Sequence, residues 1–415
     1  MRHSLFGGLV LATTAVLIGP GLARGQAPWW SPPPDSYAAR GQMDSDAGIP
    51  GQPAIIAPLP TGNPGGNGFY AFSEFVFLTQ TFALGNQTIA VRGLIDSSGV
   101  VTGIPGTLIG SGTPALSTDT FGRRSFEPGW NVGLGYKFDN GVSVYGQFMQ
   151  VLRQHYSAGA SLVPPYFRSN IDLADTYLTA PVFNFSPDYS GPPTKTQLDL
   201  SGINAGGNFY GIWNGASVMT IDFYQQFTAG EIGGRVPLFQ TEYSRVYGLG
   251  GVRYAWFFER FNWRTVAVDT EGRAFPAWTA YYQNTLSQRM YGGFVGCGHE
   301  VYLGKRFALS LDVTGAPLVN LAKERVKYEL GDRTTEDKRS VNEWTLVPNV
   351  NADLNLWWYP IEGVQIRLGY TAMTYFNTKY MDQPVAFDMG ALDPAYSTRA
   401  FRIVHGLHFG VGFFF

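Results

Sequence analysis

The chain has 415 residues, a formal net charge of −2 and one cysteine, Cys297. Charged residues make up 14%, against roughly 25% in soluble domains, and aromatic residues make up 15%. The balanced charge excludes nucleic-acid binding that depends on phosphate contacts, and the single cysteine excludes an intrachain disulfide. A mean hydropathy near zero, combined with abundant glycine and aromatic residues, is typical of strands that alternate between lipid and water.

Residues 1–23 have the pattern of a secretory signal peptide. A basic start is followed by an apolar run from Leu5 to Ile18 and a small-residue cleavage site at Gly21-Leu22-Ala23. The alternative, a helical anchor, is disfavoured because a membrane span needs roughly 20 apolar residues. Residues 24–67 are rich in proline, glycine and alanine, which predicts a disordered segment. We therefore expect Sec-type export and a folded part that covers residues 68–415.

Alternation with a period of two runs through the rest of the chain. Between Ser125 and Phe138 one face carries large apolar side chains, while the other carries glycine and polar residues. The sequence Asp139-Asn140-Gly141 then favours the left-handed backbone of a tight hairpin, so a return strand begins at Val142. This pattern predicts an antiparallel sheet.

A second hairpin between Glu343 and Phe376 shows a polar row most clearly. Asn349, Asn351, Asp353 and Asn355 share one face of the first strand, and Gln365 and Arg367 share one face of the next. In a β-sandwich this row would face bulk water, whereas in a membrane barrel it would face the lumen. The connections favour the barrel, because short turns alternate with long loops along the chain.

We predict an all-β fold, a transmembrane antiparallel up-and-down β-barrel of about ten strands with a range of 8–14. Its short turns would be periplasmic and its long loops extracellular. The predicted strands are Phe69–Phe82, Ser125–Phe138, Val142–Leu152, Ser217–Phe239, Tyr243–Glu259, Thr285–Tyr302, Phe307–Leu330, Val341–Trp358, Val364–Phe376 and Phe401–Phe415. The long loops would run from about 83 to 124, 153 to 216, 260 to 284, 331 to 340 and 377 to 400.

The terminal strand has an apolar face that includes Phe401, Phe409, Phe413 and Phe415. A strand of this kind, ending on an aromatic residue, resembles the last strand of bacterial outer-membrane barrels, which the barrel-assembly machinery recognises. We expect it to close the barrel by pairing with the first strand, because an open strand edge in lipid would leave backbone groups unpaired.

Two segments also resemble known families. GLGGVRYAWFFERF, Gly248 to Phe261, and YGGFVGCGHEVYLGKRFALSLDV, Tyr291 to Val313, are similar to the Legionella-type major outer-membrane pore-forming family. The signal peptide, Pro-rich lead and terminal phenylalanine resemble the outer-membrane β-barrel porin families of planctomycetes. These resemblances imply a pore or a structural surface protein, with no catalytic residues to carry over.

We predict a passive pore for small polar solutes. Its lining would comprise Asn349, Asn351, Asp353, Asn355, Gln365, Arg367, Lys323, Arg325, Lys327 and Arg253. One alternative is that these charges pair and plug the barrel, because eight strands give a filled lumen and about 16–18 give an aqueous channel. The row Lys323, Arg325 and Lys327 could instead belong to a solvated hairpin above the membrane.

Two further readings stay open. The protein could be a non-conducting barrel that acts through its long loops, or an omptin-like enzyme built on His155 and nearby aspartates. No spacing in the sequence demands a catalytic set, and Cys297 with His299 does not by itself make a metal site. We therefore expect no enzyme activity, metal or cofactor. The expected partners are outer-membrane lipid, the assembly machinery and small polar solutes.

Overall fold

The computed structural model describes residues 68–96, 102–122, 125–161, 177–184, 212–213, 215–241, 243–268, 274–304, 306–334, 336–361 and 363–415. The predicted signal peptide and the Pro/Gly-rich segment lie outside the described residues. In the described ranges, no helix combines the length and the apolar character needed to cross a membrane.

Sixteen strands follow one another in the described part of the chain. Their bounds are β1 Gly68–Gln80, β2 Thr88–Arg92, β3 Leu94–Asp96, β4 Thr107–Ile109, β5 Pro114–Ser117, β6 Glu127–Lys137, β7 Ser143–Val151, β8 Gln154–Ser161, β9 Leu178–Thr179, β10 Val218–Gln240, β11 Ser244–Val266, β12 Thr279–Gly304, β13 Phe307–Leu330, β14 Glu336–Ile361, β15 Val364–Gln383 and β16 Ala395–Phe414. Two 3-10 helices, Thr118–Thr120 and Pro276–Trp278, complete the described elements.

Eleven of these strands form one closed antiparallel ring. The order is β1, β6, β7 with β8, β10, β11, β12, β13, β14, β15, β16 and back to β1. Both β7 and β8 pair with β10, so they occupy one position and the ring has ten positions. The predicted all-β barrel is confirmed, and the strand count lies within the expected range.

The closure predicted for the terminal strand is confirmed. The second half of β16 pairs with β1, from Tyr70 opposite Phe414 to Gln80 opposite Val404. The backbone N–H of Phe415 donates to the carbonyl of Phe69 at 2.8 Å, which extends the pairing to the last residue. Phe401, Phe409, Phe413 and Phe415 are all exposed on the outer face, as the alternation predicts.

The connections alternate between the two ends of the ring. Turns join β6 to β7, β10 to β11, β12 to β13 and β14 to β15 at one end, called here the short-turn end, where β1 begins and β16 finishes. The other end is called the long-loop end. Five consecutive strands, β10 to β14, have 23 to 26 residues each, although about 9–11 suffice to span a membrane. These strands continue without a break, so no hidden extra pair is present within them.

Three of the predicted long loops are shorter than expected. β11 continues to Val266 and β12 begins at Thr279, while β14 begins at Glu336 and β15 reaches Gln383. The amphipathic pattern fades there because the outward residues become polar, although neighbouring strands still pair through their backbones. The predicted boundaries were therefore wrong wherever strands extend beyond the apolar part of the wall.

The outer wall carries exposed large apolar side chains at every position of the ring. Examples in ring order are Phe75, Leu134, Phe148, Ile232, Val252, Val295, Leu311, Leu346, Leu368 and Phe409. An aromatic cluster along β11 is divided between the two faces: Trp256 and Phe258 face outward, while Phe257 between them is buried inside. This outer wall is apolar in a way that soluble proteins avoid.

Candidate functional site: the barrel interior

The barrel interior is filled at three levels. We call them the cap layer, at the long-loop end, the middle layer and the lower layer, near the short-turn end. The cap layer joins loop residues such as Leu84, Ile89, Leu116, Leu178 and Trp213 to wall residues such as Phe223, Trp263, Tyr282 and Tyr328. The middle layer includes Val76, Phe227, Leu249, Phe257, Phe294, Leu318, Met373 and Tyr375. The lower layer comprises Tyr70, Tyr302, Ala308, Trp357 and Tyr359.

The cap layer is built from loops that fold inward. Strands β2, β5 and β9 form a three-stranded sheet, and β3 pairs with β4 as a separate hairpin. Trp213 packs with its ring centroid 4.6 Å from that of Trp263 and 5.5 Å from that of Tyr328 on the barrel wall. Burial raises the pKa of the Tyr177 hydroxyl in the same cap, so that group stays protonated at neutral pH.

Hydrogen bonds join the loop after β1 to the loop before β16. The Gln87 amide donates to the Val385 carbonyl at 2.9 Å and accepts from the Val385 N–H at 3.0 Å. The second long loop joins the same assembly, because the Phe183 N–H donates to the Phe387 carbonyl at 2.9 Å. The three loops therefore pack together into one cap instead of forming three independent loops.

In the middle layer, side chains from opposite walls meet. Phe227 on β10 and Tyr375 on β15 lie five positions apart on the ten-position ring, yet their ring centroids are 6.1 Å apart. Phe257 fills the space beside them at 4.9 Å from Phe227 and 5.0 Å from Tyr375. Rings from opposite walls are therefore in contact across the lumen at this level.

A buried ion pair crosses the same diameter on the long-loop side of these rings. Arg402 on β16 and Glu259 on β11 also lie five positions apart, and Arg402 Nη2 donates to Glu259 Oε2 at 3.0 Å. Their side chains are 2% and 0% exposed. Thr378 accepts a further hydrogen bond from Arg402 Nε at 3.1 Å, and Gln225 donates to Glu259 at 3.3 Å. These additional hydrogen bonds offset part of the desolvation cost that a buried ion pair carries.

Between the middle and lower layers lies a polar cavity of about 120 Å³, bounded by Leu249 and Met373 on one side and by Tyr70 and Trp357 on the other. This volume accommodates a few water molecules and is well below the roughly 300 Å³ of small-molecule sites. We call it the ionic cavity.

Paired charges line the ionic cavity. Arg253 Nε donates to Glu231 at 2.6 Å, and its other nitrogens donate to Asn349 at 2.6 Å and Thr314 at 2.7 Å. Arg235 pairs with Asp312 at 3.1 Å.

The remaining charges of the cavity wall are also coupled. Arg367 pairs with Glu74, Asn131 donates to Glu74 at 2.8 Å, and His408 contacts Asp353 at 3.0 Å. The cavity is thus a connected network in which each of these charges meets a partner of opposite sign or a hydrogen-bonding side chain.

Seven of the ten predicted lining residues face the interior. They are Asn349, Asn351, Asp353, Asn355, Gln365, Arg367 and Arg253. Most belong to the wall of the ionic cavity, where they bond to one another rather than line an open path. Asn349, for example, donates to Asn351 at 2.8 Å while it accepts from Arg253.

The placement of Lys323, Arg325 and Lys327 inside the lumen was wrong. These residues alternate with buried Ala322, Val326 and Tyr328 on β13, so their side chains face outward. Lys327 pairs with Glu329 and, at 3.3 Å, with Glu336 on the outer wall. This outward direction leaves the solvated-hairpin alternative open.

Several interior charges were missed by sequence reasoning, namely Glu74, Glu231, Arg235, Glu259, Asp312 and Arg402. Each lies at an inward position among mostly apolar or small residues, so none belongs to a continuous polar row such as that of β14. The sequence did offer one signal for these residues: a charge on the strand face opposite the apolar side chains, as for Arg402 in the terminal strand, indicates an inward position.

The histidines and Cys297 occupy other surroundings. His155 contacts Asp222 at 2.8 Å and stacks on Tyr224 with centroids 4.4 Å apart, on the outer wall rather than at an inner rim. His299 bonds Ser244 at 2.8 Å, and Cys297 is exposed on the same outer face. Among the described residues, no group of three or more metal-ligating side chains is present.

Comparisons with known proteins complete the description. No protein-family model and no curated protein matches the sequence. Among solved structures, the chain is similar to the outer membrane protease OmpT from Escherichia coli, with 9% identity, a TM-score of 0.41 and coverage of 84% of this chain and 97% of that chain.

Two other solved structures are similar as well. A Pseudomonas aeruginosa FadL homologue shows 8% identity, a TM-score of 0.23 and coverage of 83% and 89% of the two chains. The monoaromatic hydrocarbon channel CymD shows 8% identity, a TM-score of 0.26 and coverage of 84% and 88%. The resemblance to the two porin families therefore stays a prediction.

Proposed function

We propose that the protein is an outer-membrane barrel that is closed to solutes and acts through the packed loops at its long-loop end. The observation that carries this proposal is the pair of contacts across the full diameter, Arg402 with Glu259 and Phe227 with Tyr375. A passive pore for small polar solutes would need an open path at this level. The filled interior instead favours the non-conducting alternative.

The outer wall supports membrane embedding. Apolar side chains are exposed at all ten positions of the ring, as expected of a wall in contact with lipid. The closed sheet also pairs the backbone groups that water cannot reach inside a membrane. In this orientation the short-turn end is periplasmic and the assembly machinery recognises the strand that ends at Phe415. Export by the Sec route belongs to the same proposal.

The loop end offers a surface for a partner. The β3–β4 hairpin carries Leu108, and the segment between those strands carries Ile104, which is 66% exposed. Phe183 and Phe275 are exposed in other loops of this end. We assign no catalytic role, because His155 and Asp222 join β8 to β10 on the outer wall. The test is a peptide-hydrolysis assay: no cleavage by the wild-type protein is expected, and cleavage that His155→Ala abolishes would contradict this assignment.

The decisive experiment is conductance in a planar bilayer. Purified protein, shown by flotation to be inserted in vesicles, is expected to give no stepwise current in 1 M KCl. Stepwise conductance by the wild-type protein would overturn the closed barrel and restore the pore. A protein that fails to float with vesicles would instead overturn the membrane embedding.

A further inference from the structure

Five basic residues lie on one side of the outer wall toward the long-loop end, and we call them the basic patch: Arg153, Arg260, Arg289, Lys323 and Arg325. They belong to the segment between β7 and β8 and to strands β11, β12 and β13. Arg260 and Arg289 lie between buried neighbours, Lys323 follows buried Ala322 and Arg325 precedes buried Val326, so the patch faces away from the interior.

Strand pairing brings these residues together. Arg260 is opposite Thr285, which is opposite Arg325, and in another row Phe258 is opposite Ser287, which is opposite Lys323. Because adjacent strands are about 4.8 Å apart, the backbones of Arg260 and Arg325 lie roughly 10 Å apart. Two hydroxyl groups, from Thr285 and Ser287, stand between the cations.

Two arginines of the patch converge on one aromatic ring. The guanidinium carbons of Arg153 and Arg260 lie 5.7 Å and 5.2 Å from the centroid of Phe258. Among the described residues, no carboxylate forms an ion pair with any of the five, in contrast to Lys327 on the same strand, which meets Glu329 and Glu336. Like charges held together without an acidic partner are a site for an anion.

The basic patch lies next to the apolar part of the outer wall, which indicates that the anion belongs to a membrane lipid. Trp256, whose Nε1 donates to Ser287 at 3.0 Å, and the Tyr254–Tyr291 pair, with centroids 5.2 Å apart, adjoin the patch on the side of Val252 and Val295. Aromatic residues of this kind mark the headgroup level of a membrane. Cations immediately beyond them face headgroups rather than acyl chains or bulk water.

We propose that the basic patch binds the phosphate-bearing headgroup of an anionic lipid in the leaflet at the long-loop end. The proposal rests on the membrane embedding proposed above. The cations supply charge and the hydroxyls of Thr285 and Ser287 supply donors for phosphate oxygens, while the apolar wall below takes the acyl chains. Juxtamembrane cations of this sort attract anionic lipid in an additive way.

The test measures lipids retained on the purified full-length protein by native mass spectrometry. The probe is tetraoleoyl cardiolipin, with dioleoyl phosphatidylcholine as the zwitterionic comparison, each titrated into detergent micelles. We expect at least tenfold tighter retention of cardiolipin by the wild-type protein. The triple variant Arg260→Gln, Lys323→Gln, Arg325→Gln should lose roughly tenfold or more of that affinity.

A charge-matched control separates the patch from net charge. Arg333→Gln, Lys338→Gln, Arg399→Gln removes three exposed cations from the β13–β14 turn, from β14 and from β16, and should retain cardiolipin as the wild type does. Equal losses in both triple variants would overturn the proposal, as would equal retention of the two lipids.

Competition by 20 mM inorganic phosphate would overturn the lipid as the source, in favour of a free phosphate site. Vesicle flotation of each variant distinguishes the two proposals: an inserted protein without lipid preference refutes the patch alone, whereas a protein that does not insert refutes the embedding. Heat-modified migration on gels confirms that the variants are folded.

Discussion

The two ends of the barrel interior are filled by different means. At the long-loop end, three loops fold inward and supply an apolar cap that packs on the wall. At the short-turn end the wall must fill the space itself, and it does so with long side chains such as Tyr70, Arg235 and Arg367 that reach across the lumen. Short turns contribute no residues to the interior, so the wall fills it with the aromatic lower layer and with the charged, hydrogen-bonded side chains of the ionic cavity.

Glycine makes this self-filling possible. Gly135 on β6 lies under the ring of Tyr70, and a Cβ added there would be 2.3 Å from Tyr70 Cζ. Gly298 on β12 lies under Tyr247 in the same way, at 2.2 Å. A large inward side chain therefore lies flat over an inward glycine of the neighbouring strand, which explains why so many glycines alternate with apolar residues in these strands.

The largest expected effect comes from breaking the ion pair between the two filled ends. Arg402→Ala leaves the Glu259 carboxylate buried and unpaired, which should lower the free energy of unfolding by about 3–5 kcal/mol in guanidinium titrations of the micellar protein. Arg399→Ala, on the exposed side of the same strand, should change it by less than about 0.5 kcal/mol. Similar values for the two variants would show that the crossing pair does not hold the barrel shut.

We expect that the cap layer can be destabilised without unfolding the strands of the barrel. Trp213→Ala removes a fully buried indole that packs on Trp263 and Tyr328, at a cost of roughly 3–5 kcal/mol. Because the lost contacts join loop to wall, limited proteolysis should cut the loops much faster while the strands from β10 to β16 stay protected. Phe183→Ala, at an exposed site of the same cap, should leave the cleavage rate unchanged. Simultaneous loss of cap and strands would show that the two ends fold as one unit.

A smaller effect is expected from the glycines of the lower half. Gly298→Ala places a methyl group within 2.4 Å of Asp312 Oδ1 and 2.2 Å of the Tyr247 ring, which should destabilise the fold by about 1–3 kcal/mol. In Gly293→Ala, on the outward face of β12, the added Cβ lies 3.7 Å from the Gly251 carbonyl oxygen, so the substitution should be nearly neutral. The measurement is the denaturation midpoint of each variant. Equal midpoints would refute the packing of large inward side chains over inward glycines.

The smallest effect concerns the turn between β13 and β14, outside both filled regions. The Thr334 N–H and hydroxyl donate to Asp332 at 3.0 and 2.8 Å and hold the pKa of its carboxyl below the usual range. A lowered folded-state pKa stabilises the turn above the unfolded pKa, and this stabilisation is lost as pH falls through the folded value. Thr334→Val should raise the pKa of Asp332 in a carbon-13 NMR titration, while Thr345→Val should not.

The sequence predicted the sheet well because period-two alternation depends on local residues. β13 was placed at Phe307–Leu330 with both bounds correct, and the turn at Asp139–Gly141 lies between β6 and β7, where the glycine and its polar neighbours predicted it. The parts of β11, β12 and β15 nearest the long-loop end were missed because backbone pairing continues there after the apolar face has ended. Local pattern carries no information on pairing of this kind.

The sequence alone determined the closed antiparallel barrel, its apolar outer wall and the pairing of the last strand with the first, since each follows from alternation and from the need to satisfy every backbone group. Only the tertiary structure decided that the interior is filled. Arg402 and Glu259 lie 143 residues apart in the sequence and meet only because the ring brings opposite walls together. The outward direction of Lys323, Arg325 and Lys327 was decided in the same way, because a strand's polar face acquires an inside or an outside only when the sheet closes.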